Sequence, residues 1–299
     1  MKCENGTNEL RLIKKNLTDK HEYAVIHCCH RVWEELYVFS EDELLNISKS
    51  DFMNKLYECY NLIPQNHDYN TYYYCKTHEK QCIWNDEKLE VVSVSTSPRC
   101  NINCRFCDIK SHKSVSKNDK AIYFTILNML KNNNLKQIEL TSEGEPFIYK
   151  EDTLQYIENL TTNDCKRLEI MSNLTLLTEE DILRIYTASL SNDIEIKILA
   201  SCSGITSETY KLHHNNDNFE RVVSNIKLIN SLDMLNCINF VITPENLHEL
   251  DFFKQFWGEK GVKPYKCTAT VLVDYCYPVK NATEIVLKSK EYNNYISKC

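Results

Sequence analysis

From about residue 89 onward the chain alternates between two kinds of pattern, and this alternation restricts the fold more than any other feature. Short runs rich in β-branched and apolar residues predict strands, and the stretches between them carry apolar residues at helical spacing. The predicted strands span residues 89–97, 137–142, 167–173, 193–201, 237–242 and 266–275. Such strand–helix units require a parallel sheet with right-handed crossovers, as an open doubly wound sheet or a partial barrel. In both architectures ligands bind at the carboxyl ends of the strands.

Local signals indicate where several of the helices begin. Thr178, followed by Asp181 three residues later, predicts a capping box. Thr243 and Pro244 predict another helix start, with the threonine as N-cap and the proline at the first helical position. A further helix is predicted from about Asp152. Two apolar helix faces are formed by Ile122, Ile126, Met129 and Leu130 and by Phe219, Val222, Val223, Ile226 and Ile229.

Residues 1–88 differ in character, because they are aromatic and bear cysteine and histidine. They predict a small α+β domain with strands at 23–30 and 35–40 and a helix across Asp51–Tyr60. The strand at 23–30 is expected to be a sheet edge that can accept an extended peptide as an added strand. The fold class predicted for the whole chain is α/β, a partial (β/α)6 TIM-like barrel over 89–278 with this N-terminal domain and a helical segment over 279–299.

Composition and charge exclude several classes of protein. The 299 residues are 42% hydrophobic, enough for a sizeable core. A net charge of -7 disfavours nucleic acid as a partner. No signal peptide or membrane span is evident, which predicts a cytoplasmic protein. The 5 glycines form neither a dinucleotide-binding nor a P-loop motif.

The 15 cysteines are read as thiols, because disulfides are rare in a reducing compartment. Three of them, Cys100, Cys104 and Cys107, form a C-x3-C-x2-C pattern directly after the first predicted strand. Thiolates at this spacing can bind three corners of a [4Fe–4S] cluster and leave the fourth iron without a protein ligand. A zinc site is the weaker alternative, because it takes four ligands and only one C-x2-C pair is present.

This cysteine motif resembles that of the radical S-adenosylmethionine (radical SAM) superfamily, with Phe106 at the family's aromatic position. The stretch "TSEGEPF" resembles the G-G-E-P element, although Glu143 stands where the first glycine is usual. "SNLTLLT" is similar to a T-N-G-T-L-L-T element. The stretch from "ASCSG" to "FERVVSNIKLI" resembles peptide-modifying members, with Ser203 where aspartate is common. The resemblance covers about residues 90–275.

The resemblance implies a [4Fe–4S] cluster on the three cysteines, with SAM bound at the open iron. Reductive cleavage of SAM would give a 5′-deoxyadenosyl radical that abstracts hydrogen from a substrate carbon. Gly144 and Glu145 would hold the methionyl amine of SAM. Ser172, Asn173 and Ser201 are candidates for its carboxylate or ribose, and Phe106 for the adenine. The alternative for Ser172, Asn173 and Ser201 is that they only stabilise loop turns, and the alternative for Phe106 is that it only packs against its neighbours.

The other cysteines leave several interpretations open. Cys276 follows the sixth strand and could give a hydrogen atom to a substrate radical, ligate an auxiliary cluster with Cys267 and others, or be an inert thiol. Iron analysis is predicted to give one cluster per chain. The N-terminal set could bind a metal, although its spacing matches no standard zinc finger; it comprises His27, Cys28, Cys29, His30, Cys59, Cys75, His78 and Cys82.

The leading functional hypothesis is a radical SAM enzyme that cross-links, epimerises or similarly modifies a ribosomally made peptide. Residues 1–88 would bind the leader of that precursor peptide, and a flavodoxin or ferredoxin would supply electrons. Three alternatives stay open. The first is a radical SAM enzyme acting on a small molecule, and the second is a glycyl-radical-enzyme activase. The third is a non-catalytic iron–sulfur protein with a binding or regulatory role.

Overall fold

The computed structural model places a nine-stranded sheet at the centre of the chain. It describes residues 9–15, 21–27, 35–61, 89–107, 115–140, 144–271 and 281–297. The strands are β1 (Glu9–Lys14), β2 (Glu22–His27), β3 (Glu35–Ser40), β4 (Val91–Ser95), β5 (Leu135–Leu140), β6 (Cys165–Ser172), β7 (Glu195–Ser201), β8 (Leu235–Ile242) and β9 (Cys267–Val271). Their order is β3-β2-β1-β4-β5-β6-β7-β8-β9, so β3 and β9 are the two edges among the described strands.

The six strands from β4 to β9 pair in sequence order, and every neighbouring pair is parallel. They overlap the six strands that the sequence predicts, of which residues 272–275 lie outside the described part of the chain. The partial-barrel α/β fold is thereby confirmed. Burial alternates along β6 and β7, because successive side chains point to opposite faces of a sheet, whereas four consecutive residues of β4 are buried. One face supplies the buried apolar core, and the other is half-buried and polar.

Helices connect these strands and cover the apolar face of the sheet. The helices are α1 (Glu41–Asn46), α2 (Lys49–Asn61), α3 (Asp119–Leu130), α4 (Lys150–Glu158), α5 (Glu179–Asn192), α6 (Ser207–His214), α7 (Phe219–Ser231), α8 (Leu250–Gly258), α9 (Ala282–Lys288) and α10 (Lys290–Ser297). The capping box at Thr178 and Asp181 is confirmed at the start of α5, and the predicted apolar face of α7 is buried.

The predicted helix start at Thr243 and Pro244 is wrong, because turns follow β8 and α8 begins only at Leu250. The Asn246 side chain accepts a hydrogen bond from the Thr243 N–H at 2.8 Å, which closes a local turn. The Thr243 hydroxyl lies 2.6 Å from His213 Nε2 instead of capping a helix. A local sequence signal is therefore overridden by contacts with distant side chains.

The N-terminal strands continue the same sheet. β1, which the sequence patterns did not predict, pairs in parallel with β4, and β2 and β3 follow as an antiparallel pair. The predicted strand at 35–40 and the predicted helix over Asp51–Tyr60 are present. Of the strand predicted at 23–30, residues 23–27 belong to β2, and residues 28–30 are outside the described part of the chain. β2 lies between β1 and β3, so the expectation of a free edge at 23–30 is wrong and β3 is the edge.

One buried ion pair joins this extension to the barrel. Lys14, at the end of β1, lies 2.5 Å from the Asp119 carboxylate at the start of α3, and both side chains are fully buried. Arg99 contacts the other oxygen of Asp119 at 3.8 Å. Because Arg99 directly precedes Cys100, this pair connects β1 to the segment that leads into the cysteine loop.

Among the described residues, no helix is both long enough and apolar enough to cross a membrane.

Candidate active site

The cysteine loop follows the carboxyl end of β4. Cys100, Cys104 and Cys107 are partly buried thiols on this loop. Its last turn is closed by a hydrogen bond of 3.2 Å from the Cys107 N–H to the Cys104 carbonyl. The Arg105 N–H donates to the His213 carbonyl on α6 at 2.7 Å. The loop is therefore held at the carboxyl edge of the sheet and tied to the helix that follows β7.

Gly144 packs directly against the segment that precedes Cys100. Its φ of +122° is a conformation that residues with a side chain rarely adopt. A Cβ at this position would lie 2.2 Å from the Ser97 carbonyl oxygen and 2.7 Å from that of Arg99. The neighbouring Glu145 N–H donates to the Arg99 carbonyl at 2.8 Å. Glycine is required here because two backbone segments meet without space for a side chain.

The Glu145 carboxylate is buried and organises the ends of two strands. It accepts hydrogen bonds from the Ser172 hydroxyl at 2.8 Å, the Asn173 N–H at 2.8 Å and the Phe147 N–H at 3.2 Å. Burial raises the pKa of this carboxyl to about 7, although the three hydrogen bonds act in the opposite direction. The carboxyl can therefore exchange a proton near neutral pH, and a bound cation would favour its ionised form.

Asn173 connects this carboxylate to the cysteine loop. Its side-chain amide donates to Asn101 Oδ1 at 3.1 Å and lies 3.7 Å from the Cys100 sulfur. Its side-chain oxygen accepts from the Thr175 N–H at 2.9 Å and from the Thr175 hydroxyl at 2.6 Å. The Asn101 amide donates to the same hydroxyl at 2.7 Å. These bonds fix the Asn173 side chain against the first cysteine.

His214, the last residue of α6, lies against the second cysteine. Its Nδ1 is 3.3 Å from the Cys104 sulfur, and its Nε2 accepts a hydrogen bond from the Ser203 N–H at 2.9 Å. The ring stacks on Tyr210 with 4.5 Å between centroids and meets the edge of Phe106 at 5.6 Å. Burial, together with the adjacent His213, lowers the pKa of His214 to about 3, which favours a neutral ring.

Residues 94–256 match the family model described as the radical SAM superfamily. This match includes all three cysteines, Gly144, Glu145 and the strand ends that surround them. The chain belongs to the radical SAM superfamily.

Two curated relatives resemble this radical SAM protein. It is 29% identical over 143 residues to an uncharacterized protein of Methanocaldococcus jannaschii, covering 46% of this chain and 42% of that one. It is 28% identical over 174 residues to a protein of Methanothermobacter thermautotrophicus named "Probable GTP 3',8-cyclase", covering 56% of this chain and 53% of that one. The chain therefore spans about half the length of the curated relatives it matches.

A similar solved structure is native anSMEcpe with bound AdoMet and the Cp18Cys peptide. The TM-score is 0.50 at 16% identity, covering 70% of this chain and 58% of that one. At this level of identity the likeness shows the shared fold.

Radical SAM proteins use a [4Fe–4S] cluster and SAM, and the donor set of this chain fits both. Three thiols on one loop are the ligands that a cluster with one open iron requires. Over the described parts of the chain, no group of three His, Cys, Asp or Glu side chains could hold a metal ion. A cubane makes a different demand, because its three cysteines bind three separate irons. Glu145 offers a buried acceptor for an ammonium group.

The remaining predicted SAM-binding residues lie along the same edge. Ser172 is in register with Ala200, so Ser201 lies beside Asn173 at the end of the next strand. Phe106 is partly buried and packs against the core and His214. Ser203, which replaces the family's common aspartate, accepts a hydrogen bond from the Val241 N–H through its hydroxyl at 3.1 Å. The assignment of these side chains to parts of SAM stays a prediction.

Several predicted residues lie outside the described part of the chain. They are Cys276, Glu143, Cys28, Cys29, His30, Cys75, His78 and Cys82, together with the side chain of His27, so their suggested roles stay predictions. Cys59 and Cys267 are described and buried, and burial raises the pKa of each thiol to about 11. Both are therefore protonated at neutral pH and behave as packing residues unless a metal displaces the proton.

Three polar residues of this site were not found from the sequence. Asn101 and Thr175 complete the bonds around Asn173, and His214 contacts Cys104. Asn101 stands inside the cysteine motif and Thr175 inside the "SNLTLLT" stretch, so each lies in a segment already singled out. For His214 the only signal is a pair of consecutive histidines, which does not indicate a partner in a loop 110 residues away.

Proposed function

We propose that this radical SAM enzyme abstracts hydrogen from a carbon of a ribosomally made peptide, and that cross-linking or epimerisation of the peptide follows. The observation that carries the proposed chemistry is the chain of contacts from Cys100 through Asn173 to Glu145. It joins a proposed cluster ligand and a proposed SAM acceptor at one edge of the sheet. The peptide as substrate is supported by the shared fold with anSMEcpe, a protein whose structure contains the bound Cp18Cys peptide.

Cys100, Cys104 and Cys107 would hold the cluster, and Gly144, Glu145, Ser172, Asn173 and Ser201 would hold SAM. When bound, the two groups supply a 5′-deoxyadenosyl radical by one-electron reduction, with a flavodoxin or ferredoxin as the proposed donor. Glu145 would lose its proton as it accepts the methionyl ammonium, because a cation beside a buried carboxyl favours the ionised form. Ser172 and Asn173 would keep that carboxylate oriented throughout.

The half-buried face of the sheet supports a polar substrate. Glu139 on β5 and Glu169 on β6 lie in register on this face. Glu139 accepts from Ser93, and Glu169 accepts from Arg167 and Asn236 at 2.8 Å each. Burial raises the pKa of Glu169, and the neighbouring charge of Glu139 raises it further. Polar groups of a peptide backbone or side chain can exchange hydrogen bonds with such a surface.

The N-terminal strands are proposed to bind the leader of the precursor. An exposed sheet edge can pair with an extended peptide through main-chain hydrogen bonds. Within the described residues β3 is that edge, and it lies at the opposite side of the sheet from β9. A cover over the barrel is the alternative role for this segment.

A small-molecule substrate is a second candidate, favoured by the likeness to the protein named "Probable GTP 3',8-cyclase". The test is to reconstitute the full chain, add SAM and a strong reductant, and measure 5′-deoxyadenosine with peptides encoded near the gene or with GTP. A peptide-dependent rise together with a mass change in the peptide supports the proposal. Turnover of GTP would support the small-molecule alternative. The absence of 5′-deoxyadenosine under all conditions would contradict catalysis itself.

A further inference from the structure

Two consecutive buried histidines end α6 beneath the cysteine loop, and they have different partners. His213 has its Nδ1 2.8 Å from the Thr209 carbonyl and its Nε2 2.6 Å from the Thr243 hydroxyl. A carbonyl can only accept, so His213 donates through Nδ1 within its own helix. His214 instead contacts the Cys104 sulfur. The two rings share burial and location and differ in whether they contact a cluster ligand.

The hydrogen bonds of His214 determine which of its nitrogens carries the proton. The Ser203 N–H points at Nε2 from 2.9 Å, and a main-chain N–H can only donate. Nε2 must therefore be the unprotonated nitrogen. A neutral imidazole carries its single proton on the other nitrogen, which lies 3.3 Å from the Cys104 sulfur. The Nδ1–H thus has the sulfur as its acceptor.

We infer that His214 donates a hydrogen bond to the Cys104 thiolate in the cluster-bound enzyme and thereby raises the reduction potential of the cluster. Hydrogen bonds to cluster sulfurs are among the factors that set this potential. The reduced cluster carries one more negative charge than the oxidised cluster, so a donor stabilises the reduced form more. The inference rests on the proposed binding of the cluster by Cys104, and it concerns the ease of reduction before SAM reacts.

The donor is held in place by contacts on several sides. Tyr210 stacks on the ring at 4.5 Å with 30° between planes, and Phe106 meets it at 81°. The Arg105 N–H bond to the His213 carbonyl ties the cysteine loop to the same helix end. Because the ring cannot turn without breaking the Ser203 bond and this stacking, the position of the donor relative to Cys104 is fixed by the fold.

A matched pair of substitutions separates the two bonds of His214. In His214→Gln the side-chain oxygen can replace Nε2 as acceptor for Ser203, and no donor remains at the position of Nδ1. In His214→Asn the amide nitrogen takes the approximate position of Nδ1 and keeps a donor toward Cys104. His213→Gln introduces the same side chain one residue earlier, at a buried ring without a contact to Cys104.

The measurement is a redox titration of the reconstituted full chain, followed by the electron paramagnetic resonance signal of the reduced cluster, without SAM or substrate. His214→Gln is expected to shift the potential to a more negative value by about 59 mV, equivalent to a tenfold change in the one-electron equilibrium constant. His214→Asn and His213→Gln are expected to remain near the wild-type potential. A His214→Gln potential equal to that of the wild type would overturn the inference, and so would an equal shift in all three variants.

Nitrogen NMR of histidine-labelled wild-type protein before reconstitution provides a second test that needs no cluster. His214 is expected to be neutral with its proton on Nδ1; a proton on Nε2 would overturn the inference even if the variants bind no iron. The NMR result does not depend on catalysis. A wild-type protein that binds iron and shows the expected tautomer but modifies no peptide would contradict the proposed substrate and leave this inference standing.

Discussion

The loops at the carboxyl ends of β4–β7 and the N-terminal strands β1–β3 are held together by different kinds of interaction. In the loops, buried polar side chains such as Glu145, Asn173 and His214 each bond particular partners. The N-terminal strands are held by main-chain pairing, apolar packing and the buried ion pair of Lys14 and Asp119. Substitution of a single polar side chain should therefore disturb the loops more than the N-terminal strands. In those strands, many different apolar sequences could provide the same pairing and packing.

The sharpest test of this difference is removal of one of the three proposed cluster ligands. Replacing any one of Cys100, Cys104 or Cys107 by alanine should abolish SAM cleavage, because the cluster would lose one of its three protein ligands. 5′-Deoxyadenosine release after reconstitution measures this, and circular dichroism checks the fold. Cys237→Ala, at a partly buried thiol on β8, is the matched control and should retain activity. Wild-type turnover in any of the three loop variants would contradict the cluster assignment.

The second test asks whether the N-terminal strands contain a residue, Lys14, whose substitution is as damaging as substitutions in the loops. Lys14→Met should lower the free energy of unfolding by about 3–5 kcal/mol, because it removes the cation 2.5 Å from the buried Asp119 carboxylate, and the Arg99 cation lies farther away at 3.8 Å. Urea unfolding measures this effect. Adding Asp119→Asn to Lys14→Met should recover part of the loss, because the uncompensated charge is removed. A loss below about 1 kcal/mol in the single variant would show that this region tolerates change even at its buried pair.

The third test concerns the proton on Glu145. Its pKa of about 7 exceeds the ordinary carboxyl value. If SAM binds the ionised carboxylate, its affinity should be highest above pH 7, where the carboxyl is already deprotonated. As the pH falls below 7, the affinity should drop by about tenfold per pH unit, because each binding event must release one proton. Calorimetric titration between pH 5.5 and about 8 measures the slope. A slope in Glu145→Gln equal to that of the wild type would assign the proton to another group.

In the protein without SAM, the free energy of unfolding should fall as pH rises, which is opposite to the pH dependence of SAM affinity. A carboxyl whose pKa is raised by folding binds its proton more tightly in the folded state, so stability falls as pH rises from the unfolded value of about 4.5 toward 7. The difference corresponds to about 3 kcal/mol across this window. Unfolding at pH 5 and at pH 7.5 checks it, and Glu145→Gln should remove most of the dependence.

Local patterns predict the strands because each strand carries its own alternation of apolar and polar residues. The Thr178 capping box is likewise complete within four residues. Thr243 failed as a helix cap because its hydroxyl meets His213, 30 residues away. The contact between Asn173 and Cys100 spans 73 residues, and a single sequence carries no record of such a pair. Strands and caps can thus be predicted from the residues within them, whereas side-chain partners that lie far apart in the sequence cannot be predicted from a single sequence.

The β1 strand shows the same limit in the N-terminal region. Leu10 and Leu12 are fully buried and alternate with charged residues, so a signal with a period of two existed. Its parallel pairing with β4 joins residues about 80 positions apart and could not be inferred from either segment alone. This pairing also changes how the region can be tested. Deletion of residues 1–88 would expose the β4 edge and the core beneath it, so point substitutions are the better design.

The smallest expected effect is at the β3 edge, where the proposed leader peptide would pair. Lysines on an edge strand oppose the addition of another strand. Leu36→Lys together with Val38→Lys should therefore weaken peptide binding several-fold while SAM cleavage without peptide is retained. Fluorescence anisotropy of a labelled precursor peptide measures the binding. Leu45→Lys, at an exposed apolar residue on the adjacent α1, is the matched control and should bind as the wild type does. Equal peptide affinity in the β3 variant and this control would place the leader elsewhere.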